Sequence, residues 1–398
     1  MKKIVKCEIC GNINLDKVLD LGLHPLCDDL VKTTENRKCI EYPIDILFCR
    51  NCYTAHQKFQ VPKQNLFKKN YHYRARMTGS VLTGMSDLVN SIEKKIGPLK
   101  NKNCLDIGCN DGSLLNFFKK KGCKTMGVEP TSAARDCKHK VINKFFDKKV
   151  ARQIKNSNFS PDIITFTNVF AHIENLNELI DNLKIVISPS TILVIENHYL
   201  GSVLKYGQFD TFYHEHPRTY SLKSFRHISK ILNMKLFDVE FVSRYGGNIR
   251  AYLGNNIPEK KITKKEIDYK KLFLKMKRDM LIWKKETKKF IINHVKKNGK
   301  FKAKAFPGRA AILLKLINID SDVMPIIFEK KGSMKLDHYA PGTKIKIDSD
   351  ELWMENKEVP EVLIIWAWHI HEEISGYLRK AGYRGRLFTP LPVFKEIL

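Results

Sequence analysis

Two features that would place the chain in a membrane or on an export route are missing from the sequence. Among its 398 residues no apolar run reaches the length of a bilayer span. The N-terminal segment 1–7 (MKKIVKC) lacks the apolar core of a signal peptide. We therefore expect a soluble, cytoplasmic protein. The length predicts two or three domains, and a hydrophobic fraction of 43% is enough to form their cores.

Arginine clusters are few, and basic–aromatic motifs, which are typical of nucleic-acid-binding proteins, are missing. The net charge of +28 comes almost entirely from lysine spread over the whole chain. Scattered lysine indicates a solvated surface more often than a nucleic-acid footprint, so nucleic-acid binding is kept only as an alternative. A positive field of this kind would attract an anionic small molecule such as a diphosphate ester.

The ten cysteines do not have the spacing of a disulfide framework, because four of them form two tight pairs. Each Cys-x-x-Cys pair can form a small knuckle, and two knuckles complete a tetrahedral zinc site. The sequence therefore predicts a closed, structural site with the ligands Cys7, Cys10, Cys49 and Cys52. One disulfide within each pair is the redox alternative, and Cys27 and Cys39 are alternative ligands.

The pattern of apolar runs predicts an α/β protein with four segments. Residues 1–75 are expected to form a small, irregular zinc module. Residues 76–257 alternate short apolar runs with amphipathic stretches, which indicates a largely parallel sheet preceded by a helix over 80–96. Strands are expected at 104–107, 124–128, 162–166 and 191–195.

Two further segments follow. Residues 258–301 are dense in lysine and are expected to form one or two solvated linker helices, with a membrane-surface role as the alternative. Their buried stripe is predicted at Leu272, Met276, Met280, Trp283 and Ile291. Residues 302–398 repeat the α/β rhythm, with strands expected at 303–306, 325–328 and 362–368.

The strongest single motif is the segment 105–115 (LDIGCNDGSLL), in which a strand turns through two glycines into a helix. A dinucleotide fingerprint would need a third glycine where Asn110 stands. Gly108 and Gly112 allow close approach of the backbone to a ligand. Carboxylates at Asp106 and Asp111 would repel a pyrophosphate, but they suit the cationic methionine portion of S-adenosylmethionine (SAM).

The next two strands complete the predicted cofactor site. Glu129 stands at the end of the second strand, about 20 residues after the loop, where a carboxylate can accept both ribose hydroxyls. Asn168 follows the third strand. Because open α/β sheets bind ligands beyond the carboxyl ends of their strands, both side chains are expected in one crevice.

The segment 208–218 (QFDTFYHEHPR) is unusually dense in reactive side chains. Tyr213, His214, Glu215 and His216 offer a phenol, a carboxylate and two imidazoles. Imidazole titrates near neutrality, which suits a base that removes a proton from carbon.

Together these motifs resemble the SAM-dependent C-methyltransferases of deoxysugar biosynthesis. The resemblance spans essentially the whole chain. It is carried by the four cysteines and by the segments 106–113 (DIGCNDGS), 168–173 (NVFAHI), 209–216 (FDTFYHEH), 246–252 (GGNIRAY), 339–343 (YAPGT) and 366–370 (WAWHI). It implies an N-terminal zinc module, a central Rossmann-like SAM-binding sheet and a second Rossmann-like C-terminal domain that contributes to sugar-nucleotide binding.

The resemblance also implies a mechanism. The acceptor would be a nucleotide-linked 4-keto-6-deoxysugar, whose ketone acidifies the C3 proton. His216 would be the base, and Tyr213 would donate a hydrogen bond to the enolate oxygen. Glu215 would orient or charge-balance the site, and His172 would assist.

Six residues are predicted to bind the substrate: Tyr71, Tyr73, His214, Asn248, Arg250 and Arg309. Plain packing is the alternative for the two tyrosines. The loop 306–310 (FPGRA) and the segment 74–76 (RAR) depart from the commonest family pattern, so a different nucleotide sugar or another carbonyl compound stays open as the acceptor. Methylation of a sugar oxygen is the second enzymatic alternative, and a monomer is expected.

Overall fold

The computed structural model describes residues 1–67, 71–267, 269–356 and 359–397, and these form the predicted α/β fold. Three larger sheets account for most of the strands: an antiparallel sheet near the N-terminus and two largely parallel sheets. Among the described residues, no helix combines the length and the apolar character that crossing a bilayer requires.

The N-terminal segment is largely β-structure, where the sequence suggested an irregular module. Its elements are β1 (Lys2–Lys3), β2 (Leu15–Pro25), β3 (Val31–Lys32), β4 (Glu41–Cys49), β5 (Thr54–Gln57), β6 (Phe59–Gln60) and the short helix α1 (Lys63–Leu66). Strands β2 and β4 pair in antiparallel register from Leu15 opposite Cys49 to Pro25 opposite Glu41. Apolar side chains along β2 and β4 are buried and fix this register.

The central segment is a seven-stranded sheet with helices on both faces. Its elements are α2 (Gly79–Ile96), β7 (Asn103–Ile107), α3 (Ser113–Lys120), β8 (Lys124–Val128), β9 (Lys140–Ile142), α4 (Lys148–Lys155), β10 (Ile163–Thr167), α5 (Leu176–Val186), β11 (Ile192–His198), α6 (Leu200–Lys205), β12 (Arg218–Thr219), α7 (Leu222–Ile231), β13 (Leu236–Val242) and β14 (Asn248–Leu253). The strand order is β13-β14-β11-β10-β7-β8-β9. Strand β14 pairs in antiparallel orientation with both β11 and β13, and the other described pairs of this sheet are parallel.

The lysine-rich segment forms one helix, α8 (Tyr269–Asn298). Of the predicted stripe, Met276, Met280, Trp283 and Ile291 are buried, whereas Leu272 is half-buried. The indole nitrogen of Trp283 donates a hydrogen bond to the carbonyl of Pro390 at 2.7 Å. The helix therefore packs along the C-terminal segment through one face and leaves its lysines in solvent.

The C-terminal segment is a second parallel sheet. Its elements are β15 (Lys302–Lys304), α9 (Ala310–Ile317), β16 (Ile326–Glu329), β17 (His338–Tyr339), β18 (Lys346–Ser349), α10 (Glu351–Asn356), β19 (Val362–Ile365), α11 (His371–Lys380), β20 (Arg386–Thr389) and β21 (Lys395–Ile397). Strand β19 ends at Ile365, earlier than predicted, because the following residues turn and the indole of Trp368 donates to Asp210 at 2.8 Å.

The segments share strands across their boundaries. Strand β3 from the N-terminal segment pairs with β17 at the edge of the C-terminal sheet. Strand β12 from the central segment pairs with β5 in the N-terminal sheet. One hydrophobic cluster also joins the N-terminal sheet, α8 and α9. These pairings hold the C-terminal sheet opposite the central sheet.

Candidate active site and metal centre

The four predicted cysteine ligands converge on one point. Their sulfur atoms all lie within 4.8 Å of one another, and Cys7, Cys49 and Cys52 are buried. The Sγ atoms of Cys7 and Cys52 are 3.3 Å apart, and those of Cys10 and Cys49 are 3.5 Å apart, too far for disulfides. Four thiolates at these separations match the tetrahedron of a structural zinc site, whose Zn–S bonds measure about 2.3 Å.

The alternative ligands lie outside this cluster. Cys27 lines a cavity elsewhere, and Cys39 donates a hydrogen bond to the carbonyl of Asp29. Around the cluster itself, the side-chain amide of Asn12 donates to the Cys49 sulfur at 3.6 Å. Such N–H···S contacts stabilise thiolate charge, so the residues present fit a zinc ion.

One cavity of about 420 Å³ lies between the two parallel sheets. Residues that follow β7, β10 and β11 line one side, and residues that follow β15, β16 and β19 line the other. The carboxyl ends of both sheets therefore open into the same space, which is where α/β sheets bind their ligands.

Five of the predicted cofactor residues line this cavity: Asp106, Gly108, Asn110, Glu129 and Asn168. The backbone N–H of Asn110 donates to Glu129 at 3.0 Å and so ties the glycine loop to the end of β8. Burial raises the pKa of Asp106 to about 7, and the hydroxyl of Thr165 donates to it at 2.7 Å. A bound cation would favour the ionised form of this carboxyl.

The other two predicted cofactor residues, Asp111 and Gly112, shape the loop from behind. Asp111 accepts hydrogen bonds from the backbone and the hydroxyl of Ser113 at the start of α3. Gly112 has a φ of +77°, and a β-carbon there would lie 2.7 Å from the Cys137 sulfur. Neither residue lines the cavity.

Gly108 is required by a protein neighbour. Its φ is +76°, and a β-carbon there would lie 2.5 Å from a methyl of Val169. From the sequence, this glycine was expected to allow the approach of a ligand, but the loop after β10 already needs the space.

The predicted catalytic residues meet in the middle of the cavity. The ring centroid of His216 lies 4.2 Å from that of Tyr213 and 4.8 Å from that of His172. The Nδ1 atom of His216 donates to the carbonyl of Thr211 at 3.0 Å. Burial holds the pKa of His216 well below its usual value, so the ring is neutral and Nε2 carries a lone pair.

His172 has the same tautomer, because its Nδ1 donates to the backbone carbonyl of Glu215 at 2.7 Å. Burial lowers the pKa of His172 to about 4 and raises the pKa of Glu215 to about 8. Glu215 also accepts a weak hydrogen bond from the phenol of Tyr71 at 3.4 Å. At neutral pH this carboxyl is therefore protonated, and it can donate a hydrogen bond but cannot balance a positive charge.

A buried ion network supports the donor side of the cavity. Glu196, fully buried on β11, accepts from Arg250 at 2.5 Å, from Arg244 at 2.8 Å and from Asn248 at 3.0 Å. The amide of Asn248 also donates to Asn168 at 3.0 Å. Asn248 and Arg250, predicted to bind substrate, do not line the cavity; they hold Asn168 and Glu196 in place.

The remaining predicted substrate residues divide between the cavity and the core. Tyr71, Tyr73 and Arg309 line the cavity. The Nε and Nη2 atoms of Arg309 already donate to Asp210 at 2.7 and 2.6 Å. His214 points away, and its Nε2 donates to the carbonyl of Tyr42 at 3.1 Å.

Three family models match the chain in succession. They are a zinc binding domain over residues 7–67, a methyltransferase domain over 73–236 and a C-methyltransferase C-terminal domain over 245–392. The chain thus matches methyltransferase domain models over its central and C-terminal segments. Its three matched domains stand in the order that the sequence resemblance implied, and the cysteine cluster falls within the zinc binding domain.

Individual relatives are distant from this chain. It is 26% identical over 257 residues to the C-methyltransferase NovU of Streptomyces niveus, an alignment that spans 63% of this chain and 61% of that relative. Among solved structures, the PH0226 protein of Pyrococcus horikoshii is 14% identical with a TM-score of 0.34 and covers 48% of this chain and 97% of that one. A SAM-dependent methyltransferase of Archaeoglobus fulgidus is 16% identical with a TM-score of 0.33 and covers 48% and 85%.

The cavity also contains residues for which the sequence predicted no role. His198, the last residue of β11, lies with its ring centroid 5.1 Å from that of His216. Tyr245 has a φ of 53°, its ring contacts His198 and His369, and its hydroxyl lies 3.3 Å from that of Tyr73. His198 could have been predicted, because it ends a strand and ligands bind beyond the carboxyl ends of the strands in such sheets. The two glycines that follow Tyr245 indicated a strained turn.

Proposed function

We propose that the protein transfers the methyl group of SAM to carbon in a nucleotide-linked 4-keto-deoxysugar, at the position next to the ketone. The observation that carries this proposal is the neutral His216 imidazole, held beside Tyr213 in a cavity that both parallel sheets share. A match to a C-methyltransferase C-terminal domain supports carbon as the acceptor atom.

SAM, when bound beyond β7 and β8, supplies an electrophilic methyl group. The carboxylates of Asp106 and Glu129 suit its cationic amino-acid portion and its ribose hydroxyls, respectively. Asn168 is fixed by Asn248 and offers a polar group at the end of β10. These residues would hold the donor at the carboxyl ends of β7, β8 and β10, on one side of the cavity.

The proton at C3 of the sugar is the one to be removed. Because Nδ1 of His216 is committed to the Thr211 carbonyl, Nε2 is the basic atom and accepts the proton. The electron pair of the C–H bond moves toward the ketone and forms an enolate. That carbon would then form a bond to the methyl group of SAM as the C–S bond breaks, with S-adenosylhomocysteine as the leaving group.

Tyr213 and Glu215 act on the enolate oxygen. Burial raises the pKa of Tyr213 well above its usual value, so the phenol keeps its proton and donates a hydrogen bond. The protonated Glu215 is a second donor, a revision of its predicted charge-balancing role. One donor of this kind typically contributes on the order of 100- to 1000-fold in rate, which makes the oxygen site the main source of acceleration.

His172 supports the base, since its ring packs against that of His216 and its Nδ1 is anchored to the backbone of Glu215. We assign the nucleotide to the C-terminal segment, 302–398, and the donor to residues 76–257. The zinc module, residues 1–75, connects these two segments, because it pairs one strand with each of them.

The test is a product analysis. The protein is incubated with methyl-labelled SAM and nucleotide-linked 4-keto-6-deoxysugars, and the label is located by NMR. Label on the carbon next to the ketone supports the proposal. Label on oxygen establishes the sugar O-methyltransferase alternative, and transfer only to nucleic acid, with tight salt-dependent binding in a retardation assay, contradicts both sugar proposals.

A further inference from the structure

The C-terminal sheet has the strand order of a dinucleotide-binding half. Strand β15 lies in the centre, with β16 and β18 on one side and β19 and β20 on the other, all parallel. In this arrangement a ligand binds where the order reverses, beyond the ends of the first and fourth strands. Ala305 after β15 and Ala367 after β19 both line the cavity.

Glu329 occupies the position at which an acidic residue hydrogen-bonds the ribose of a nucleotide in such a fold. It is the last residue of β16, the second strand, and it comes 20 residues after Arg309 at the end of the first loop. Its side chain is 15% exposed and lines the cavity. The backbone N–H of Phe306 donates to its Oε1 at 2.7 Å and fixes the carboxylate beside that loop.

A carboxylate in this place has acceptor capacity beyond the Phe306 bond. Two carboxylate oxygens offer about four lone-pair sites, and Phe306 engages one of them. The vicinal 2′- and 3′-hydroxyls of a ribose present two donors side by side. These two donors match the two oxygens of the Glu329 carboxylate, whose position is fixed by the Phe306 backbone. A 2′-deoxyribose presents only one donor and would leave part of this acceptor unpaired.

The charge around Glu329 suits a diphosphate. Lys330 and Lys335 line the same part of the cavity, and the Lys335 ammonium lies 4.0 Å from Oε1 of Glu329. Ammonium groups bind phosphates as point charges. Arg309, which was predicted to bind the substrate, is already held by Asp210 and by the hydroxyl of Thr211.

We propose that Glu329 binds the 2′- and 3′-hydroxyls of a ribose, so that the sugar substrate is carried by a ribonucleoside diphosphate. This inference rests on the proposed function, in which the acceptor is a nucleotide-linked sugar. It narrows that function, because 2′-deoxynucleotide sugars become poor substrates.

The experiment measures binding of matched nucleoside diphosphates to the full-length protein by isothermal titration calorimetry. The probes are ADP, GDP, CDP and UDP, each compared with its 2′-deoxy counterpart at one salt concentration. Glu329→Gln keeps the size and one acceptor oxygen for Phe306 but removes the bidentate carboxylate. Glu372→Gln is the matched control, since Glu372 is exposed in the same segment and does not line the cavity.

We expect the tightest ribonucleotide to bind at least about tenfold more strongly than its 2′-deoxy counterpart. Glu329→Gln should bring that ratio close to one, and Glu372→Gln should leave it unchanged. Equal or tighter binding of the 2′-deoxy compound overturns the inference while leaving a nucleotide-linked substrate in place. If no nucleoside diphosphate binds, the proposed nucleotide-linked acceptor fails together with it. A thermal melt of each variant shows whether a variant that has lost the preference for the ribonucleotide is still folded.

Discussion

The rings of Tyr213 and His216 lie with their centroids 4.2 Å apart, three residues apart in sequence and on the same side of the segment. The backbone N–H of His216 donates to the carbonyl of Tyr213 at 2.9 Å, so one turn of chain holds the pair together. A proton donor and a proton acceptor are thereby fixed on one small region of the cavity wall. Such a pair fits the enolate chemistry that we propose.

Tyr213→Phe removes the phenol donor while keeping the ring. We expect kcat to fall by about 100- to 1000-fold, because the enolate oxygen loses a hydrogen bond that forms in the transition state. Steady-state rates with a competent keto sugar measure the effect. Tyr206→Phe is the control, since Tyr206 is 46% exposed and lies outside the cavity. A loss of less than about threefold would remove Tyr213 from the mechanism.

The pH dependence of kcat/KM should show an alkaline limb that belongs to Glu215. Burial raises the pKa of Glu215 to about 8, so the carboxyl is neutral below that pH and negative above it. A negative carboxylate would oppose the developing enolate, and the rate should therefore fall as pH rises through about 8. The pKa of His216 lies well below 6.5, so the base stays free throughout this window.

Glu215→Gln provides the check on that assignment. The amide cannot ionise, so the limb near pH 8 should disappear while a measurable rate remains. A profile that rises through pH 8, or a limb that persists in the variant, would show that another group controls the reaction.

Zinc is expected to bind at a single site per chain and to stabilise the N-terminal module. Cys49→Ser should abolish zinc retention and lower the melting temperature, because structural zinc contributes directly to folding. Cys39→Ser is the matched control, since Cys39 lies outside the cluster. Metal analysis of both purified variants decides the point. Full zinc content in Cys49→Ser would contradict the four-thiolate site.

Arg250 was predicted from the sequence to bind substrate, but its guanidinium lies on Glu196. Arg250→Lys should lower the free energy of unfolding by about 1–3 kcal/mol, because a lysine cannot reproduce the contacts to Glu196 and to the Gly84 carbonyl. Chemical denaturation measures that loss. The KM for the sugar should stay within about twofold. A large rise in KM with unchanged stability would restore the substrate role.

Local sequence patterns were sufficient to predict which residues cluster on the donor side of the site. The turn after β7, the glutamate after β8 and the asparagine after β10 each follow a buried strand, and the carboxyl ends of parallel strands share one edge. The clustering of Asp106, Glu129 and Asn168 was therefore predictable. The two cysteine pairs were predictable for a similar reason, since each pair is a local knuckle.

Long-range pairs were not predictable in this way. The bond between Arg309 and Asp210 joins residues 99 positions apart, and nothing near Arg309 in sequence shows that its donors are occupied. The same holds for Arg250 and Glu196, whose partnership depends on the register of two neighbouring strands. His214 illustrates a smaller limit: a motif shows which side chains are reactive, but the backbone decides which of them face the cavity.

Exchange of the sugar proton tests the central claim most directly. The protein is mixed with a nucleotide-linked 4-keto sugar in D₂O, with S-adenosylhomocysteine in place of SAM so that no methyl group can be transferred, and deuterium at C3 is followed by NMR. We predict rapid incorporation with the unaltered protein and essentially none with His216→Asn. Incorporation at an undiminished rate in His216→Asn would contradict the assignment of His216 as the base.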